Sequence, residues 1–278
     1  MPDSTTPADL PDSLPTPARQ PELLAAPPGW RADLIAAAAF LTRLDLRRWL
    51  RSPDAGAAGL THALRAFPLI GAAIGLAAAL VFWLAHLFQL APLPAALLSV
   101  GATVWLTGGL HEDGLADCAD GFGGGRDREA KLAIMRDSRI GSYGVLALVL
   151  GVGLRAGALA DLTVDDAVAA LVAAHAASRA AMPLLMALLE PARPDGLAAA
   201  LGRPSEPVLA QAVILGVLIA ALMTGPFAAI VALSFAALVL AGLETLARRQ
   251  IGGYTGDVLG AAQQVSETAI LLALSAVW

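Results

Sequence analysis

Seven apolar runs, each close to the length that crosses a bilayer, leave this chain few ways to fold. They cover roughly 66–90, 93–110, 143–161, 165–190, 207–225, 226–247 and 258–278, and a hydrocarbon core takes about 20 residues as α-helix. Composition agrees, because 57% hydrophobic residues, 15% charged residues and a mean hydropathy of +0.69 lie outside the range of soluble domains. Joints such as Ala91-Pro92-Leu93-Pro94 and Thr224-Gly225-Pro226 divide neighbouring runs, since proline cannot continue a helical ladder. The expected fold is all-α: a polytopic membrane bundle of about seven transmembrane helices joined as hairpins.

Basic residues orient the bundle. All but Arg155 and Arg179 of the 18 Lys and Arg lie before residue 66, in 111–142, in 191–206 or at Arg248 and Arg249. These regions share one face if the first helix starts inside, and short basic loops stay cytoplasmic. The expectation is a cytoplasmic N-terminus and a C-terminus on the opposite side.

Residues 1–30, rich in Pro, Ala, Ser and Thr, lack the basic start and apolar core of a signal peptide and are expected to form an uncleaved, disordered tail. Residues 31–278 then form a single membrane domain. Segment 32–50 is too short in apolar residues to span; with Arg43, Arg47, Arg48 and Trp49 it reads as an interfacial or re-entrant helix in the headgroup zone. Cys118 reads as a small helix residue and cannot form an internal disulfide, being the single cysteine.

The block HEDGLADCADGFGGG, His111 to Gly125, sits where the second run ends. Carboxylates so dense repel one another unless a cation sits among them. Asp113, Asp117 and Asp120 fall at i, i+4 and i+7 of a helix and so share a face. Gly114 and the glycines from Gly121 onward leave room for backbone to approach phosphate oxygens. A solvated acidic loop is the plainer alternative, against which stand the abutting membrane helix and the helical phase.

Beyond the block, Arg126, Arg128, Lys131, Arg136 and Arg139 suit phosphates or anionic headgroups. Arg136, Asp137 and Ser138 in MRDSRIGSYG are expected nearer the site. Arg155 and Arg179 lie inside spans, where a charge marks a functional position by default. His175, Ser178 and Arg179 share one helix face; Arg155 could bind phosphate or pair with Glu244 or Glu267. A second wall is expected from GGYTGDVLGAAQQVSE, with Thr255, Gly256 and Asp257, although Thr255 could simply cap the last helix. Gln263, Gln264 and Glu267 need partners inside hydrocarbon.

Acids for a metal, glycines for close approach and arginines for phosphate charge are the parts of phosphoryl transfer. With FLTRL at Phe40 to Leu44, FPLIGAAIG at Phe67 to Gly75, HEDGLADCADGFGG, MRDSRIGSYG, the Ser178-Arg179 pair and GGYTGDVLGA in that order, residues 32–278 resemble the cobalamin synthase family. The resemblance implies transfer of adenosylcobinamide phosphate from its GDP ester to α-ribazole or its 5'-phosphate, with release of GMP. It also implies Mg²⁺ as cofactor and a bacterial inner-membrane location. Under it Asp113, Asp117 and Asp120 would hold Mg²⁺, with Glu112 and Asp137 as supporting ligands or base and Asp257 as a candidate for either job. Gly114, Gly121, Ser138, Ser178, Thr255 and Gly256 would approach substrate, and Arg136, Arg139 and Arg179 would neutralise phosphate charge. The long Pro-rich tail is not explained by the resemblance.

Two other readings stand beside it. A CDP-alcohol phosphotransferase also places spaced Asp residues at a membrane helix end, but Ala116 is followed by Asp117, and no second Asp pair follows Gly125. An ion-coupled transporter would bind its ion at midplane, whereas these acids are expected at the cytoplasmic end. Nucleic acid is not an expected partner; self-association is left open.

Overall fold

A computed structural model describes residues 29–44, 46 and 56–278. The proposed N-terminal tail and the basic stretch Arg47-Arg48-Trp49 lie outside them. Among the described residues the chain is helical, with one isolated bridge between Pro191 and Tyr254. In order, the helices are α1 (Trp30–Leu41), α2 (Gly56–Ala63), α3 (Phe67–Leu87), α4 (Pro92–Thr107), α5 (Leu110–Gly124), α6 (Arg128–Ile134), α7 (Ser142–Ala160), α8 (Val164–Leu188), α9 (Leu197–Leu201), α10 (Glu206–Thr224), α11 (Pro226–Ile251) and α12 (Gly256–Val277). Proline stands in the first turn of α4, α10 and α11, where its missing N–H is an orphan anyway.

Six helices are long and apolar enough to cross a membrane, and the α4–α5 pair, bent by 93°, makes a seventh if counted as one broken span. This is a multi-pass membrane protein. The break corrects the expected run 93–110: α4 stops at Thr107, and Gly108 and Gly109 both take φ 72°, a left-handed conformation that glycine adopts without strain.

The architecture is concentric. In α8 and α12, 83% and 78% of the most apolar window is buried, against 22% and 28% in α10 and α11, so the first two form the centre. Small residues face inward and large ones outward. On α11, Ala228, Ala229, Ala232 and Ala236 are buried while Phe227, Ile230 and Leu238 are exposed, as expected where lipid is as apolar as leucine and packing drives association. Gly71 and Gly75 press α3 onto α8: a Cβ on either would collide with the carbonyl of His175 or Leu171.

Two apolar cores stack along the bundle, one containing Phe67, Met182, Leu185 and Val258, the other Phe82, Leu159, Leu171 and Ile270. Between them, on α8 from His175 to Arg179 and on α12 from Gln263 to Glu267, runs a buried polar layer.

Helix α1, in the segment expected to be interfacial or re-entrant, is packed against the bundle and is not among the helices long enough to span. It buries Ile35 to Ala38 and Leu41. Asp33, 1% exposed, accepts from His62 Nδ1 at 3.0 Å and Arg65 Nε at 2.7 Å. Arg65 also stacks 4.2 Å from the Trp30 ring and donates to Gln211 at 3.2 Å. A buried carboxylate is tolerated because it is paired and hydrogen-bonded.

Candidate functional site

The acidic block is not a loop hanging from a span. It forms α5, which returns antiparallel beside α7: Glu112 reaches Arg155, a Cβ on Gly151 would touch Leu115, and one on Gly144 would touch the Ala116 carbonyl. Helix α5 crosses α12 where Gly114 meets Gly260; a Cβ on Gly114 would stand 2.8 Å from the Asp257 carbonyl. Gly114 is thus packed closely against α12, and it also lines the smaller cavity beside the cleft. Gly121 is packed likewise: a Cβ there would meet Met135 at 2.7 Å and the Lys131 carbonyl at 3.1 Å.

Outside this packing lies an open cleft of about 880 Å³. Asp113 and Asp117 of α5 stand on its wall, with Arg136, Asp137 and Ser138 from the α6–α7 loop and Arg43 from the end of α1. A smaller cavity of about 190 Å³ adjoins it and contains Gly256 and Asp257; Asp113 lines both. The structure thus brings together Asp113, Asp117, Arg136, Asp137, Ser138, Gly256 and Asp257, from both sequence segments expected to build the site.

The third acid of the helical stripe goes elsewhere. Asp120, 7% exposed, accepts from the amides of Gly141 at 2.7 Å and Gly144 at 2.9 Å, satisfying the orphan N–H groups that open α7. Thr255 likewise caps α12, accepting from the Val258 amide at 3.3 Å and donating to Asp257 at 3.0 Å. Arg139 stays outside the cleft wall and pairs with Asp137, Nε to Oδ1 3.0 Å. Its guanidinium holds the Asp137 carboxyl down at about 2, which makes that group a weak proton acceptor and a lasting anion.

Three more expected site residues are turned inward. Glu112 sits 3.2 Å from Arg155, with Gln264 donating to it at 3.0 Å. Arg155 also meets Glu267 at 3.0 Å, and Arg179 meets the other oxygen of Glu267 at 2.8 Å. His175 Nδ1 lies 3.0 Å from Glu267, while Gln263 donates to Ser178 at 3.0 Å and to Glu267 at 2.6 Å. Of the partners considered for Arg155, Glu267 is the one it takes; Glu244 pairs with Arg248 instead. Two carboxylates and two guanidiniums close this layer in balance, so Glu112, Ser178 and Arg179 hold the bundle together and do not face the cleft.

Arg43 and Phe40 are cleft residues that the sequence reading assigned to the membrane surface. The Arg43 amide donates to Leu106 at 2.8 Å, and a Cβ on Gly108 would lie 2.8 Å from Arg43 Nε. The only signal was FLTRL itself, since the packing of α1 beside the α4–α5 break is tertiary. Arg193, 3.6 Å from Asp257, was also missed.

For a metal, Asp113 and Asp117 offer hard carboxylate oxygens on an open wall. Among the described residues no three His, Cys, Asp or Glu converge into a self-sufficient metal site. That donor set fits Mg²⁺, which is commonly held by one or two carboxylates together with substrate phosphate.

A family model described as cobalamin-5-phosphate synthase matches residues 33–275. The chain is 50% identical over 246 residues to an adenosylcobinamide-GDP ribazoletransferase of Bradyrhizobium diazoefficiens, covering 88% of this chain and 94% of that one. It is 48% identical over 257 residues to the protein so named in Mesorhizobium japonicum (92% and 97% covered) and 47% over 253 residues to that of Sinorhizobium medicae (87% and 95%). No solved structure matches.

Proposed function

This chain belongs to the cobalamin-5-phosphate synthase family, and from that premise we propose that it is an adenosylcobinamide-GDP ribazoletransferase. It moves adenosylcobinamide phosphate from the GDP ester to α-ribazole or its 5'-phosphate, completing cobalamin assembly and releasing GMP. The observation that carries the reading is the pair Asp113 and Asp117, one helical turn apart on the wall of a cleft that also holds Arg43 and Arg136.

In the reaction an acceptor hydroxyl oxygen attacks the phosphorus that bears the cobinamide. A new P–O bond forms, the bond to the bridging oxygen breaks, and its electron pair leaves with GMP. The hydroxyl proton passes to a carboxylate; Asp257, in the adjoining cavity, is the candidate here. Asp113 and Asp117 would hold Mg²⁺, which would supply charge neutralisation at the phosphates. Arg43 would bind non-bridging oxygens directly, and Arg136 would do so by exchanging its 2.6 Å contact to Asp195. The buried Arg179 acts through position: it anchors α12, which carries Asp257, to α8 by way of Glu267.

We place the protein in the bacterial inner membrane with its N-terminus and cleft facing the cytoplasm and its C-terminus in the periplasm. The basic loops support this orientation. The test is GMP release by protein in nanodiscs given adenosylcobinamide-GDP, α-ribazole and Mg²⁺. The expected result is GMP with a cobalamin product, lost in Asp117→Asn. No product with either acceptor from folded protein would overturn the reading.

A further inference from the structure

The cavity behind Asp113 has a character of its own. Phe40, Leu110 and Asp113 line both it and the cleft, so these three form a neck between a chamber of about 190 Å³ and one of about 880 Å³. Inside the neck the walls are mostly apolar, with Met182, Leu201 and Leu259 closing it. Carboxylates line it at Asp113 and Asp257, while His111 backs the wall with both ring nitrogens buried.

His111 is 1% exposed, and neither ring nitrogen has a hydrogen-bond partner. Buried polar groups are almost always bonded, and one left unmade costs about 1–3 kcal/mol. Neither nitrogen has accessible surface, and the charges around the ring are those of Arg179, Glu267, His175 and Arg155, so the imidazole belongs to the buried polar layer and only backs the cavity wall.

We infer that this side chamber binds the heteroaromatic base of the acceptor nucleoside while the donor occupies the cleft; the inference rests on the ribazoletransferase reading above. Size comes first. An apolar cavity of about 150 Å³ admits a benzene ring, so a slightly larger one, open at its neck, takes a fused bicyclic base and excludes a corrin.

Chemistry separates the two bases present in the reaction. Guanine carries several donors and acceptors on its edges, which apolar walls would strand at a cost of a few kcal/mol. Dimethylbenzimidazole presents carbon edges, two methyl groups and a single free ring nitrogen, so the same walls strand far less of it. Geometry completes the case: reacting atoms must come within about 3–3.5 Å, and the neck at Asp113 is where an acceptor in the chamber meets a phosphate in the cleft. Asp257 then lies beside the acceptor's sugar.

The test is steady-state kinetics in nanodiscs with both substrates varied and 5,6-dimethylbenzimidazole as the probe. The free base is expected to compete with α-ribazole and not with the GDP donor. Ala198→Phe, which fills the chamber from α9, is expected to raise the acceptor KM at least about tenfold and leave the donor KM unchanged. Competition of the free base with the donor, competition of GMP with the acceptor, or an unchanged acceptor KM in a folded Ala198→Phe protein would each overturn the inference. If that variant does not fold, the wild-type competition pattern decides. Should the wild type release no GMP at all, the reaction fails separately, and calorimetric titration of the free base still decides the chamber: heat of binding supports it and none refutes it.

Discussion

Glu267 accepts from Arg179 at 2.8 Å within the polar layer that separates the two apolar cores, both residues 2% exposed or less. Such a pair adds little net stability when complete, because desolvation offsets attraction, but removing one member strands the other at about 3–5 kcal/mol. Glu267 also meets Arg155 and His175. Glu267→Ala is therefore expected to lower the thermal midpoint sharply in detergent. A Glu267→Leu/Arg179→Met double variant should recover part of that loss, a recovery that a catalytic reading of Arg179 does not require.

The acids of α5 should separate by assay. Asp113→Asn and Asp117→Asn are expected to reduce turnover by about two orders of magnitude or more with the thermal midpoint unchanged, since both side chains line the cleft. Asp120→Ala should behave oppositely. It removes the acceptor for the Gly141 and Gly144 amides, a capping loss of about 1–2 kcal/mol, with a smaller effect on turnover. Parallel melting curves and GMP assays check the contrast.

Six of the spans, the proline joints and the acidic helix were legible because hydropathy and helical phase are local properties. Phase shows that Asp113, Asp117 and Asp120 form a stripe, but what each meets depends on where α7 begins: its two orphan amides claim Asp120. Arg155 and Arg179 announced themselves as charges inside spans, and their partners came from α5 and α12, far along the chain. The Gly108-Gly109 break was not legible, because the apolar run continues across it to residue 110 and its 93° turn is set by tertiary packing. Arg43 was hidden because a basic residue near a membrane has a headgroup explanation that local sequence cannot displace.

Arg43 should matter to the donor. Charge-assisted hydrogen bonds contribute about 1.5–3 kcal/mol, so Arg43→Ala is expected to reduce kcat/KM for adenosylcobinamide-GDP by about 10- to 150-fold and to leave the α-ribazole KM unchanged. Arg43→Lys should restore only part, because a guanidinium presents a planar fork that an ammonium lacks. Equal losses for donor and acceptor would argue that Arg43 supports the Gly108 break alone.

Asp137 yields a prediction in pH. Its carboxyl is held at about 2 against an ordinary 3.8 by the Arg139 guanidinium. With the folded value below the unfolded one, its contribution is complete above about pH 4 and disappears as pH falls toward 2. Any acid limb in turnover above pH 4 must then arise elsewhere. The pH profile of Asp137→Asn is expected to keep the wild-type midpoint, whatever its height; a shifted midpoint would make Asp137 a titrating member of the site.

The tightest helix contact carries the last prediction. A Cβ on Gly71 would collide with the His175 carbonyl and come within 3.0 Å of the Arg179 side chain. Gly71→Val therefore pushes α3 from α8 at the height of the polar layer. Overpacking costs about 1–3 kcal/mol, and the shift also moves the residues that hold Glu267. Ala73→Val, on the exposed side of the same helix, should leave the thermal midpoint unchanged. If both variants melt alike, α3 adjusts freely, and the Gly71–Gly75 face is not what sets the spacing of the central helices.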